Sequence, residues 1–196
     1  MAYFLSGQDS FSDFRGRVKP SCCPNPACQT VLDPFAHPFP GKAKPKDDLT
    51  CIANEGLALA SPRLMDFILE RSTTKVSDIQ TGGGYHVLRP ACELLLDLSR
   101  CGLYVGEPCD TCGRNASLIV STGRPMIARG ENVDPFGLYR SVQEFGNFSQ
   151  RRFDLIAGDA IAEEMRRNAF RGVILSEIYK PIRRSGFSPT PPPAKP

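Results

Sequence analysis

Cys109 and Cys112 are separated by two residues and followed by Gly113. Thiols at that spacing can turn onto one ion, and the glycine permits the tight backbone turn such a knuckle needs. One pair does not complete a tetrahedral site, so a second is required. The stretch Cys22-Cys23-Pro24-Asn25-Pro26-Ala27-Cys28 is the best source of it. The expected ligands are therefore Cys23, Cys28, Cys109 and Cys112. Cys22 is an alternative to Cys23, because adjacent cysteines normally point apart and one of them reaches the ion. Four thiolates suit zinc, with iron the weaker alternative because nothing else in the sequence demands redox chemistry. Four protein ligands leave no position open for water, so the site reads as a structural staple. It would tie the N-terminal segment to the middle of the chain, closing a loop of about eighty residues and contributing folding free energy.

Other chemistry is thin. His37 follows the first cysteine pair in Pro-rich surroundings without a ligand spacing, and Cys51, Cys92 and Cys101 read as small buried apolar side chains. A nucleophile pair of Cys92 and His86 has no third orienting group. Thr81-Gly82-Gly83-Gly84 lacks the Lys and Ser/Thr of a phosphate loop. The pairs Arg151-Arg152 and Arg166-Arg167 suggest a basic patch and with it a zinc-ribbon nucleic-acid binder, but Asp154, Glu163 and Glu164 interrupt the stripe.

The elements that must position these residues are strands and two helices. Residues 2 to 5, 50 to 54 and 57 to 60 read as strands. Ser61-Pro62 is an N-cap followed by a first-turn proline, opening a helix to about Arg71 with Leu64, Phe67 and Ile68 on one stripe. Short strands at 76–79 and 85–88 flank the glycine turn, while 92–98 has no clean period. Leu118 to Val120 is a strand, Asp134 to Gly137 a turn, and Val142 and Phe145 are expected to pack inward. Phe153 to Ala157, a helix opened by Gly158-Asp159 and carrying Ile161 and Met165, and a central strand over 172–178 complete a second strand-helix-strand unit. Glu163 and Arg167, four apart, are expected to pair. The fold class is thus α+β: a mixed sheet with two strand-helix-strand units and a zinc-ribbon-like cysteine subdomain. We expect one domain over residues 1–180, with the ribbon formed by about 20–30 and 101–116, and a disordered Pro-rich tail at 181–196.

The bulk properties narrow the setting. The net charge is +3, but Lys180, Arg183, Arg184 and Lys195 lie in the acid-free tail. The remainder carries about −1, too little to steer a phosphate backbone by net field. The N-terminus is too quickly polar for a signal peptide and no apolar run reaches membrane-spanning length, so the expected location is the cytoplasm. Reducing conditions there favour metal ligation over disulfides for the closely spaced members of the eight cysteines.

A cysteine pair near the start, Cys109-Asp110-Thr111-Cys112-Gly113 past the middle, and an ending that runs from Phe136-Gly137-Leu138-Tyr139-Arg140 through Phe153 to Gly172-Val173-Ile174-Leu175-Ser176-Glu177 together resemble the double-CXXCG motif proteins of myxobacteria. The resemblance covers most of residues 3 to 179. It is sharp at Cys109, Cys112 and Gly113, whereas the first motif carries two inserted residues and Gln29 where glycine is expected. What it implies is an immunity-like protein, not an enzyme, that binds a cognate protein toxin stoichiometrically. Asp47, Asp48, Glu163 and Glu164 are candidate contacts to a basic toxin.

Overall fold

The computed structural model describes residues 1–10, 22–28, 30–33, 35, 46–52, 56–147 and 150–178. His37 and the Pro-rich tail lie outside them. The chain is α+β, dominated by strands, with two helices among the described residues. Its first half contains β1 (Ala2–Ser6), β2 (Gln8–Ser10), β3 (Leu49–Ile52), β4 (Leu57–Ala60), α1 (Pro62–Arg71), β5 (Val76–Gln80) and β6 (His86–Pro90). There follow β7 (Glu93–Leu94), β8 (Leu96–Asp97), β9 (Gly102–Val105), β10 (Ser117–Thr122), β11 (Met126–Ile127), β12 (Leu138–Asn147), β13 (Gln150–Gly158), α2 (Asp159–Arg167) and β14 (Ile174–Ile178).

Two sheets carry the architecture. One is ordered β2-β3-β4-β6-β5; the other is ordered β14-β1-β13-β12-β10-β9, with β7 added in parallel beside β12. Their central parts have the same plan. In the first, the hairpin β3-β4 leads through α1 to β5, and β6 inserts between β4 and β5, antiparallel to both. In the second, the hairpin β12-β13 leads through α2 to β14, and the inserted strand, antiparallel to β13 and β14, is β1. The second unit is thus the first with its last strand supplied from the N-terminal end of the sequence.

Local sequence explains the start of α1, and a turn distant in sequence that of α2. Ser61 Oγ accepts the Leu64 N–H at 3.2 Å, Pro62 occupies the first turn, and Leu64, Met65 and Ile68 are buried. Gly158 offers no side-chain cap to α2. The Asp134–Gly137 turn serves instead, with the Pro135 carbonyl accepting the Ile161 N–H at 3.0 Å. Leu64, Met65 and Ile68 share one core with Ile161, Ala162, Met165 and Phe170, so the helices close a common interior.

Asp48 joins the two units. Its carboxylate accepts Ser61 Oγ–H at 2.6 Å and the Arg171 N–H at 2.8 Å, and its own N–H is donated to the Arg171 carbonyl. Gly7 marks the crossing from β1 to β2: a Cβ there would stand 2.8 Å from the Leu49 backbone, so only glycine fits without displacement.

Several expectations need correction. The strand over 172–178 is an edge, not central, because β14 pairs with β1 alone among the described residues. Val142 is exposed while Phe145 is buried: three residues apart on one strand, the two fall on opposite faces, so only one of them packs inward. Within 92–98, where no period chose between helix and strand, the chain forms two short strands, so here nothing is overturned. Glu163 pairs with Arg166, three residues on, and Arg167 with Glu164.

Candidate metal centre

The Cys109–Cys112 knuckle is the tip of the β9-β10 hairpin. Gly106 N–H is donated to the Ser117 carbonyl, Cys109 N–H to Arg114 and Gly113 N–H to Cys109 at 2.7 Å. Gly113 takes φ +70°, the left-handed conformation that favours glycine. The first knuckle is a turn of the same kind: Cys22 bridges Val31, Cys23 N–H is donated to the Thr30 carbonyl, and Cys28 N–H to Asn25. That bridging leaves Cys22 exposed and turns Cys23 inward, which settles the alternative between them.

All four expected sulfurs meet, within 4.8 Å of one another. Cys23 Sγ lies 3.8 Å from Cys109 Sγ, and Cys28 Sγ lies 3.7 Å from Cys112 Sγ. A tetrahedral ion holding thiolates at about 2.3 Å requires sulfurs about 3.8 Å apart, so the donor set fits such an ion. No disulfide links them. The surrounding donors suit thiolates as well. Cys109 is held down at about 6 chiefly by the backbone N–H groups of Cys112 and Thr111. The Thr30 hydroxyl and N–H lower Cys28, with the hydroxyl 3.1 Å from its sulfur. Burial pushes Cys23 up to about 12. An ion would supply the charge that lets Cys23 ionise.

Spacing rules did not reveal how the two knuckles are held together. Arg114, directly after the second motif, donates to the Val31 carbonyl at 3.1 Å, the Leu32 carbonyl at 2.9 Å and Glu144 Oε1 at 3.2 Å. One guanidinium therefore clips the first knuckle and the hairpin to β12. Asn25 Oδ1 accepts the Ala27 N–H at 2.9 Å, fixing the longer first loop, while its amide approaches Cys109 Sγ at 3.5 Å. Arg114 adjoins the motif in sequence, which is the one signal that pointed to it.

The other candidates are dispersed. His86 Nδ1 lies 2.5 Å from Asp78 Oδ1 across β5-β6, and Cys92 lies beyond the opposite end of β6, packed against a separate cluster that holds Leu94, Ile127 and Ile156. The extended span from His86 to Pro90 alone separates them by about 13 Å, so the pair does not form. Cys51 Sγ accepts the Gly7 N–H, and burial raises the Cys101 thiol. Two clefts of about 490 and 440 Å³ meet at Arg152 and Asp154, and none of the four clustered cysteines, His86 or Cys92 lines either.

The basic pairs make no stripe: Arg151 is buried against Glu144, Arg166 faces Glu163 and Tyr3, and Arg167 faces Glu164. The proposed acidic face is engaged too, with Asp48 buried and Glu164 beside Arg71. No helix among the described residues is long and apolar enough to cross a membrane. The chain matches no family model, and no curated protein is significantly similar to it.

Proposed function

We propose that the protein is a zinc-stapled binding protein of the immunity type, which acts in the cytoplasm and neutralises a cognate bacterial toxin by stoichiometric association. The observation that supports the staple is the four-sulfur cluster, all within 4.8 Å of one another and with two pairs at 3.7 and 3.8 Å. Cys23, Cys28, Cys109 and Cys112 saturate a zinc ion, leaving it no position at which to activate water. Its work is to hold two knuckles and the β9-β10 hairpin in place, completing the zinc-ribbon-like subdomain. The separation of His86 from Cys92 agrees with a role in binding instead of turnover, and the engagement of Arg151, Arg166 and Arg167 by acids disfavours the nucleic-acid alternative. The immunity role itself comes from the resemblance to the double-CXXCG proteins.

Native mass spectrometry of the purified chain should find one zinc per chain, removed by a strong chelator. If the product of an adjacent gene is the cognate toxin, co-expression should restore growth of cells that carry it, and the pair should co-purify. A protein free of zinc with all four thiols reactive refutes the staple; failure to rescue from, or bind, any neighbouring toxin refutes the immunity role.

A further inference from the structure

Sheet edges expose main-chain donors and acceptors, and proteins usually blunt them with charge, proline or short length. Three of the four strands that end the two large sheets follow this rule: β2 reads Gln-Asp-Ser, β5 carries Asp78 and Gln80, and β14 carries Ser176 and Glu177. The fourth, β9, reads Gly-Leu-Tyr-Val with no charge and no proline. Leu103 is 40%, Tyr104 62% and Val105 51% exposed, and Ile119, opposite Tyr104 on β10, is 39% exposed. Among the described residues nothing pairs with the outer side of β9.

We propose that this edge is a docking surface for a second copy of the chain, joined antiparallel through β9 into one continuous sheet. The hydrogen-bonding phase of the strand favours it. Gly106 gives its N–H inward to Ser117, so by alternation Leu103 and Val105 turn their N–H and C=O groups outward. A two-fold axis must pair outward-facing residues with one another. Centring it on Tyr104 sets Leu103 against Val105 of the second copy, Tyr104 against Tyr104, and Gly102 against Gly106. The two exposed phenol rings then form a cross-strand aromatic pair, and the glycines at both ends leave room for approach.

Charge also matches. The exposed Arg100 precedes the strand and the exposed Glu107 follows it. Antiparallel pairing brings the basic end of one copy beside the acidic end of the other, twice over, which a parallel arrangement would not. The Cys109–Cys112 knuckle closes the same hairpin beyond Glu107, so the metal centre fixes the edge that docks. A four-residue edge is at the low end of interface size, and the dimer should dissociate on dilution.

Light scattering and sedimentation of the full metal-loaded chain over a concentration series should show the mass rising from 21.5 kDa toward twice that value. Tyr104→Lys and Val105→Pro should hold it at the monomer mass, with circular dichroism and metal content unchanged, while Leu69→Lys, on an exposed site of α1, should leave dimerisation intact. Hydrogen exchange of the unaltered chain gives a reading that needs no variant: protection of the Leu103 and Val105 amides should rise with concentration. A monomer at every concentration, a dimer indifferent to both β9 substitutions, or unchanged Leu103 and Val105 exchange overturns the proposal. So does a chain that is monomeric alone but captures a different protein through β9.

Discussion

Replacing Arg114 by Met keeps the aliphatic stem and removes the guanidinium that clips the knuckles together. Three contacts disappear: two backbone carbonyls, at 3.1 and 2.9 Å, and Glu144 at 3.2 Å. Hydrogen bonds from a charged donor contribute roughly 1.5–3 kcal/mol each when buried. The Arg114 side chain is 34% exposed and Leu32 37%, so solvent screens part of this. Glu144 keeps Arg151 as a partner at 3.4 Å, so its carboxylate is not stranded. Taking the low end for the carbonyl bonds and little for the ion pair gives about 3 kcal/mol. If that free energy orders the first knuckle for the ion, its loss weakens metal binding about a hundredfold. Competition against a chromophoric chelator, with cobalt as a spectroscopic stand-in for zinc, reads the change directly. Cobalt spectra should keep their tetrahedral thiolate bands, because all four sulfurs remain. A shift in affinity of less than about threefold, under 1 kcal/mol, would refute the clip.

Other consequences follow from the same structure. In metal-free protein at pH 7, a thiol reagent should alkylate Cys109 first among the four, because it is held at about 6, and Cys23 last, because burial pushes it to about 12; peptide mass spectrometry gives the order. Burial raises the Asp154 carboxyl, with Arg152 offsetting only part of the effect. A carboxyl raised by folding favours the protonated folded state, and stability is lost as pH rises through the folded pKa. Asp154→Asn should therefore raise the urea midpoint at pH 7 and change it little at pH 3, the opposite of what loss of a paired carboxylate would do. Ser61→Ala removes both the cap on Leu64 N–H and the hydroxyl that donates to Asp48, and should lower stability by about 1–2 kcal/mol in urea unfolding.

What could be read from the sequence was local. Ser61-Pro62 and the spacing of Leu64 and Ile68 specify α1 because cap chemistry and helical period act within a few residues. The two-residue spacing of Cys109 and Cys112 specifies a knuckle for the same reason. The choice between Cys22 and Cys23 depended on a bridge from Cys22 to Val31, nine residues on, which composition does not encode. The apolar run Val173-Ile174-Leu175 resembled a central strand because hydrophobicity reports burial of faces, not the presence of a neighbour on each side. Its one neighbour among the described residues, β1, comes from the other end of the chain, and no periodicity announces that pairing. Arg166 chose Glu163 over the expected pairing of Glu163 with Arg167 because its own position beside Tyr3 already fixed its guanidinium.

The two-unit plan decides what losing the metal should do. In a classical zinc finger the ion is the core, and removal unfolds the domain. Here the shared interior is built from Leu49, Leu64, Met65, Ile68, Leu138, Ile161, Ala162 and Met165, and none of the four cysteines belongs to it. The units are also joined without the ion, by Asp48 to Ser61 and Arg171, and by Thr74 Oγ1, which donates to the Leu138 carbonyl and accepts its N–H. A bound ion would tie down residues 22–33 and the tip of the β9-β10 hairpin, where the four cysteines lie. Chelation should therefore loosen residues 22–33 and 106–116, read as faster amide exchange there, while the amides of α1, α2 and β1 keep their protection. If chelation instead abolishes protection throughout, the metal is holding the units together and the separation of core from staple is wrong.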